Sequence, residues 1–334
     1  MKCIFCKKEI SESETSVEHI IPKFLGGNQV IINVCKKCNS QIGHDFEGEL
    51  SNNTLIKFIQ SFYHMKNRHS NRFIVPNLKL KYSENMYIKS DSEGHLFMYN
   101  NSKISDDNDQ NISLEFDQTD SEEKIKNTIN KKVSRLNKKN NRENLGYTIT
   151  KNKKRIVQGI PEKTKLSIPN SLLIKLNLKI AYEFACICIG EEYLEDSLGD
   201  SIRMFVKSGE NETMPPKECA LKISYNERKL TFCVNKVAEV ANENTKRIYF
   251  NTPLMFPSMG NFSHEISLKN INGRITVTIN LFDIFHSSIC VSENGLLYKY
   301  NTGEICKLII GIQNNKPINQ LITNYEDIKA QFNK

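Results

Sequence analysis

The sequence has 334 residues, 39% of them hydrophobic, and a net charge of +8 at neutral pH. This length is enough for one large domain or two to three ordinary domains with packed cores. No run of about eighteen apolar residues occurs, which argues against a membrane-spanning helix. A functional motif begins at Cys3 and leaves no room for a signal peptide, so we expect a cytoplasmic protein that does not contact membranes.

The positive charge is concentrated in one segment. Between Lys124 and Arg155 the sequence holds twelve basic residues and one acidic residue, which leaves the rest of the chain slightly negative. Such asymmetry is typical of a surface that binds a phosphate backbone, but a solvated helix and loop without a partner would have the same composition. The candidate nucleic-acid contacts are Lys131, Lys132, Arg135, Lys138, Lys139, Lys153, Lys154 and Arg155.

Two Cys-x2-Cys pairs stand at the start of the chain. Cys3 with Cys6 and Cys35 with Cys38 supply four thiolates, the donor set of a closed tetrahedral zinc site. The 28 residues between the pairs exceed the usual zinc-ribbon spacing. The N-terminal segment of about 50 residues has too little core to fold alone, so we predict a structural zinc that stabilises it. The other six cysteines lie mostly in apolar contexts, which is typical of buried thiols in a reducing compartment.

The segment between the cysteine pairs predicts a strand, a turn, a second strand and a helix. Residues 17–21 read as a short strand that Pro22 ends, because proline cannot donate to a ladder. Gly26 and Gly27 provide a turn, and residues 30–34 are rich in β-branched side chains. A helix is expected to begin near Asn39.

This combination resembles the HNH nucleases. The matching elements are Cys3-x2-Cys6, then Glu18-His19-Ile20-Ile21-Pro22, then Gly26-Gly27, then Cys35-x2-Cys38-Asn39, over the first 50 to 60 residues only. The resemblance implies a ββα-metal core braced by zinc, and with it a metal-dependent endonuclease, a phosphodiester hydrolase. DNA is favoured over RNA because the family mostly cuts DNA.

The resemblance also implies roles for single residues. His19 would be the general base that takes a proton from the attacking water. Glu18 and Asn39 match the two protein ligands of the catalytic divalent ion, and a carboxylate with an amide oxygen suits Mg²⁺ or Mn²⁺. His44 is a candidate additional ligand or phosphate contact, or else a surface residue. The family's middle asparagine could be Asn28 or Asn33.

The rest of the sequence predicts an α+β fold whose last part is strand-rich and mostly antiparallel. We expect the HNH module in residues 1–60, a linker helix, small β-meander and basic helix with hairpin in 61–165, and a targeting or regulatory α+β domain in 166–334. A buried core helix is predicted over 171–189, with Gly190 as its cap. Seven strands are predicted after it: 220–225, 229–234, 247–250, 265–268, 274–279, 288–291 and 296–300.

Three functions remain open at this stage. The chain could be a nuclease directed to a DNA sequence or modification by residues 65–334, or a nuclease gated by a small ligand or protein activator. It could also be a zinc-knuckle protein that binds nucleic acid without cutting it, although the intact Glu18 and His19 argue against that. One module holds one base and one ion site, so cutting both strands requires a homodimer or successive nicks. A role in restriction or anti-phage defence is an analogy with small bacterial HNH proteins that carry an extra domain.

Overall fold

The computed structural model describes residues 1–63, 65, 80–81, 86–90, 96–100, 104–106, 112–114, 121–140, 167–208, 214–231, 233, 261–298, 300, 302–313 and 316–323. The predicted basic hairpin near residues 147–157 and the predicted strand 247–250 lie outside these residues. The α-helices are α1 Lys36–Ile42, α2 Gly48–Asn52, α3 Thr54–Phe62, α4 Glu122–Asn140, α5 Asn170–Ile189 and α6 Ser197–Lys207. The strands are β1 Thr15–His19, β2 Val30–Cys35, β3 Leu80–Lys81, β4 Met86–Ser90, β5 Leu96–Asn100, β6 Ile104–Asp106, β7 Ile112–Leu114, β8 Lys222–Tyr225, β9 Phe262–Ile271, β10 Arg274–Leu281, β11 Phe285–Ser292, β12 Gly303–Gln313 and β13 Lys316–Thr323.

The N-terminal segment has the predicted strand, strand and helix order. Strands β1 and β2 pair antiparallel and α1 follows directly. Gly26 ends a short 3-10 turn at φ +88°, a backbone conformation that favours glycine. A Cβ on Gly27 would lie 1.7 Å from the carbonyl oxygen of Ile21, so only glycine fits there. A π-helical turn, Gly43–Glu47, connects α1 to α2, and such turns are frequent at functional sites.

Helix α5 is the buried core helix that the sequence predicts. Fifteen of its twenty residues are buried, and its cap is Gly190 at φ +91°. It packs against β9, β10 and β11 on one side and against α6 on another. Three buried residues on this apolar helix are charged, namely Lys175, Lys179 and Glu183. Burying charge is costly unless the group is paired, so these side chains require partners.

The C-terminal part forms a six-stranded sheet in the order β13-β12-β9-β10-β11-β8, in which every neighbouring pair is antiparallel. Buried and more exposed residues alternate along β10, as expected for a sheet with one face on the core. Asn272 (φ +52°) and Gly273 (φ +82°) form the tight turn between β9 and β10, which confirms the predicted hairpin. The α+β class is thus confirmed.

Two predicted strands are wrong. Residues 227–231 are helical, because the side chain of Asn226 accepts a hydrogen bond from the Lys229 amide and its carbonyl accepts one from Leu230. Residues 295–298 form turns, and Leu296 and Leu297 are 80% and 63% exposed instead of packed on a sheet. Conversely, β12 and β13 were not predicted.

The chain divides into two compact units. One comprises residues 1–76, 166–239 and 256–334, so the N-terminal segment and the six-stranded sheet belong to the same unit. The other comprises residues 77–165 and 240–255 and contains α4, an antiparallel β3-β4-β5 meander and a β6-β7 hairpin. The division at residues 60 and 165 stays a prediction. Within the described part of the chain, no helix has the length and apolar character needed to cross a membrane.

Candidate active site and zinc site

The four N-terminal cysteines converge on one point. The sulfur atoms of Cys3, Cys6, Cys35 and Cys38 all lie within 4.8 Å of one another. The sulfurs of Cys6 and Cys35 are 3.9 Å apart, against roughly 3.8 Å for two corners of a tetrahedron with ~2.3 Å zinc–sulfur bonds. The amides of Cys35 and Cys38 donate to the sulfurs of Cys3 and Cys35. The donor set and its geometry fit a structural zinc.

Strand β1 presents Glu18 and His19 to opposite sides, as the two-residue period of a strand requires. Glu18 is buried, whereas His19 is half-buried and Val17 is 58% exposed. The pairing of β1 with β2 shifts between Ser16 and Glu18, with one extra residue on β2. The extra residue bends β2 locally and interrupts the regular ladder beside Glu18.

Asn39 lies in the second turn of α1 and faces β1. Its amide nitrogen donates to the hydroxyl of Ser16 at 2.8 Å and to the carbonyl oxygen of Val17 at 3.0 Å. A carbonyl can only accept, so these contacts fix which end of the amide faces the strand. The amide oxygen is then the atom that could bind a hard cation.

Glu18 is held by a lysine far away in the sequence. The ammonium of Lys179, on α5, lies 2.6 Å from the Glu18 carboxylate and 2.9 Å from the carbonyl oxygen of His19. It also contacts the carboxylates of Glu183 at 3.1 Å and Glu47 at 3.2 Å. The Lys179 side chain is fully buried. We call Lys179, Glu18, Glu47 and Glu183 the lysine–carboxylate cluster.

The charges of this cluster depend on one another. Burial opposes the charge of Lys179, but the surrounding Glu183, Glu47 and Glu18 outweigh it and raise the pKa of the ammonium. Burial raises the pKa of Glu183 well above its ordinary value, and Lys179 only partly offsets this. Burial also raises the pKa of Glu47. The cluster therefore keeps a charged lysine and favours a proton on Glu183.

His44 is not a member of this cluster, and the predicted basic residues of 131–155 belong to the other compact unit. The His44 ring is 91% exposed and lies 3.6 Å from the Asp45 carboxylate. Lys131 and Arg135 are exposed on α4. Lys132, Lys138 and Lys139 belong to the same helix, but their side chains are not described, and Lys153, Lys154 and Arg155 lie outside the described residues. Their binding roles stay predictions.

Sequence reasoning missed Lys179, Glu183 and Glu47. The signal that could have found the first two is local, because Lys179 and Glu183 stand four residues apart on a helix that is apolar nearly all round. An ion pair at that spacing on a buried helix indicates a partner elsewhere. Which partner it meets depends on packing between distant segments.

Comparison with known protein families gives a match to the N-terminal segment. A model described as HNH endonuclease matches residues 3–55, which include the four cysteines, the Glu18-His19 pair and Asn39. No curated protein and no solved structure matches the chain. Residues 3–55 are therefore a module of the HNH endonuclease family.

Proposed function

We propose that this protein hydrolyses phosphodiester bonds of DNA with the help of a divalent ion. The HNH module implies a nuclease acting on nucleic acid. The observation that carries the proposal is the Glu18-His19 pair on β1, a strand that pairs with the Cys35 end of β2 and whose Val17 carbonyl accepts a hydrogen bond from Asn39 of α1. A protein that only bound nucleic acid through zinc knuckles would not need this arrangement.

His19 is the proposed general base. Its imidazole takes a proton from a water molecule whose oxygen attacks the phosphorus, and the bond from phosphorus to the 3′ oxygen of the leaving strand breaks. The main chain at His19 is fixed by the hydrogen bond from Lys179. A base must hold its position to act, so a rigid strand suits this role.

Glu18 and Asn39 are the proposed ligands of the divalent ion, Mg²⁺ or Mn²⁺, through a carboxylate oxygen and an amide oxygen. When bound, such an ion stabilises the negative charge that develops on the phosphate and on the leaving oxygen. The four thiolates are unsuited to this task because they close the coordination of their zinc.

We also propose a wider role. The exposed Lys131 and Arg135 of α4 support a surface for the DNA backbone, and the remaining basic residues of 131–155 would extend it. All ten cysteines are described and none forms a disulfide, which supports a reducing compartment such as the cytoplasm. Gating by a ligand or protein activator, a homodimer, and restriction or anti-phage defence belong to this proposal and rest on the sequence alone.

The test is cleavage of supercoiled plasmid by the wild type and by His19→Ala, with Mg²⁺ or Mn²⁺ and with EDTA. We expect cutting that needs the ion and falls by at least about a hundredfold in His19→Ala, since a general base contributes roughly that factor. His286→Ala, which changes a partly exposed histidine of β11, is the matched control and should cut as the wild type does.

Each variant must first be shown to keep its zinc. Cutting that survives His19→Ala would contradict the assigned base. Binding of DNA without cutting, under every ion and candidate activator, would favour the zinc-knuckle binding protein.

A further inference from the structure

Lys179 lies outside the matched segment and contacts both members of the Glu18-His19 pair. Its ammonium donates to the carboxylate of Glu18 and to the main-chain carbonyl of His19. It belongs to α5, 161 residues from Glu18. The position of the proposed ion ligand and of the proposed base thus depends on a helix that the HNH motif does not include.

The cluster has more acceptors than one lysine can satisfy. An ammonium has three N–H groups, but four oxygens lie within 3.2 Å of Lys179. Among the described residues, Oε1 of Glu47 and Oε1 of Glu183 are buried without a hydrogen bond. Replacing a buried ion pair by apolar residues of similar size is often neutral or stabilising, so a buried ion pair is weak evidence of a role in stability.

A second lysine on α5 contacts an aromatic ring of α6. Lys175 stands one turn before Lys179 and is also buried. Its ammonium lies 5.8 Å from the centre of the Phe205 ring, a cation–π contact with a residue of α6. Lys175 therefore provides a matched control on the same helix.

An ammonium beside Glu18 also affects any cation that Glu18 binds. The positive charge at 2.6 Å offsets the negative charge of the carboxylate and repels a divalent ion. The hydrogen bond meanwhile holds one carboxylate oxygen toward the core, which leaves the other for the ion. Lys179 should thus improve the geometry of the site and weaken its affinity for the ion.

We infer that Lys179 is a positioning residue of the HNH active site, which holds Glu18 and the His19 main chain in place and weakens divalent-ion binding at Glu18. This inference rests on the proposed function, because it concerns the same ion and the same base. The Lys179 side chain is fully buried, so its proposed effect is exerted through Glu18 and the His19 main chain.

The experiment compares the full-length, zinc-loaded wild type with Lys179→Met and with the double variant Lys179→Met/Glu183→Leu. The double variant also replaces the buried Glu183 carboxyl, so neither α5 member of the lysine–carboxylate cluster is left without its partner in the core. Mn²⁺ binding is measured by the electron paramagnetic resonance signal of free Mn²⁺. Binding that is lost in Glu18→Gln is assigned to the site at Glu18. Plasmid cleavage at saturating Mn²⁺ then gives kcat and KM.

We expect both Lys179 variants to bind Mn²⁺ about tenfold more tightly, the effect of removing one nearby unit charge. We also expect kcat to fall at least about tenfold with KM for DNA unchanged, because the base is misplaced while the DNA contacts remain. Lys175→Met should leave both values as in the wild type. A merely structural lysine would not combine tighter ion binding with slower cutting.

The outcomes separate the inference from the proposed function. If the wild type cuts and the folded Lys179 variants have the same Mn²⁺ affinity or the same kcat as the wild type, the inference about Lys179 is overturned. The nuclease proposal then still stands. A wild type that does not cut overturns the nuclease proposal, while Glu18-dependent Mn²⁺ binding that tightens in the variants still supports the role of Lys179 at the ion site. The inference about Lys179 is overturned if the folded double variant binds Mn²⁺ more weakly than the wild type. It is also overturned if Mn²⁺ binding to the wild type does not depend on Glu18.

Discussion

The zinc site and the active-site pair share the HNH segment but are built differently. Every ligand of the zinc site lies between Cys3 and Cys38, and the backbone amides that support the sulfurs belong to the same stretch. Glu18 and His19 lie in the same segment, but Lys179 and Glu183 of α5 complete their surroundings. A motif can thus contain all the residues of one site, while another site within it also depends on contacts from a distant segment.

The largest expected effect comes from the self-contained site. We expect Cys6→Ser to lose the zinc and to destabilise the protein by several kcal/mol, since structural zinc contributes folding free energy directly. Zinc content and thermal unfolding measure this. Cys290→Ser, which changes a buried thiol of β11, is the control and should keep one zinc per chain. Retention of zinc by Cys6→Ser would show that a thiolate outside the predicted four, or water, completes the site.

The next effect concerns the contact between the HNH segment and the sheet. His264 of β9 is fully buried, its Nε2 donates to the carbonyl of Leu25, and its Nδ1 accepts from the Phe282 amide. Burial lowers the pKa of His264 to about 4, and the hydrogen bond to Leu25 only partly offsets this. The neutral ring is the form that the fold requires.

Because the pKa of His264 is lower in the folded than in the unfolded chain, its contribution to stability is complete above about pH 6.5 and is lost as the pH falls toward 4. The loss should reach at most about 3 kcal/mol. Urea unfolding of the wild type and His264→Gln across this range measures it. Zinc release at low pH affects both proteins, so their difference isolates the histidine, and parallel pH profiles would contradict the assignment.

A smaller effect is expected where α5 contacts the first cysteine pair. The hydroxyl of Tyr182 donates to the carbonyl oxygen of Ile4 at 2.5 Å, and both residues are buried. Tyr182→Phe leaves that carbonyl unpaired and should cost about 1 to 3 kcal/mol. We also expect faster zinc loss to a chelator, because Ile4 lies between Cys3 and Cys6.

Tyr193→Phe is the control for this prediction, since the Tyr193 hydroxyl donates to Val291 within the C-terminal part. It should cost a similar free energy of unfolding and leave zinc loss unchanged. Equal rates of zinc loss in the two variants would mean that α5 supports the HNH segment only through global stability.

The sequence predicts correctly those features that are determined by residues close together along the chain. The cysteine pairs, Pro22, the glycine turn and Asn272-Gly273 each impose a local conformation, and all are found where expected. The buried helix and its Gly190 cap follow from one continuous apolar pattern. These features require no knowledge of the rest of the chain.

What the sequence could not predict depends on distant contacts. Strand β12 pairs with both β9 and β13, an order that alternation within one strand does not encode. Residues 295–298 have a strand-like composition but form turns, where the Gly295 amide donates to the Gly273 carbonyl. Lys179 has no sequence neighbour that identifies Glu18 as its partner. The active-site surroundings were therefore the least predictable part.

The separation of 161 residues between Glu18 and Lys179 also has a consequence for biosynthesis. On the ribosome, the four cysteines emerge first and can take up zinc while α5 is still unmade, because chains fold from the N-terminus as they are synthesised. The Glu18-His19 pair lacks its lysine during that interval. A nascent chain can thus hold its zinc knuckle well before the Lys179 contacts to Glu18 and His19 form, and these contacts are complete only after α5 has docked.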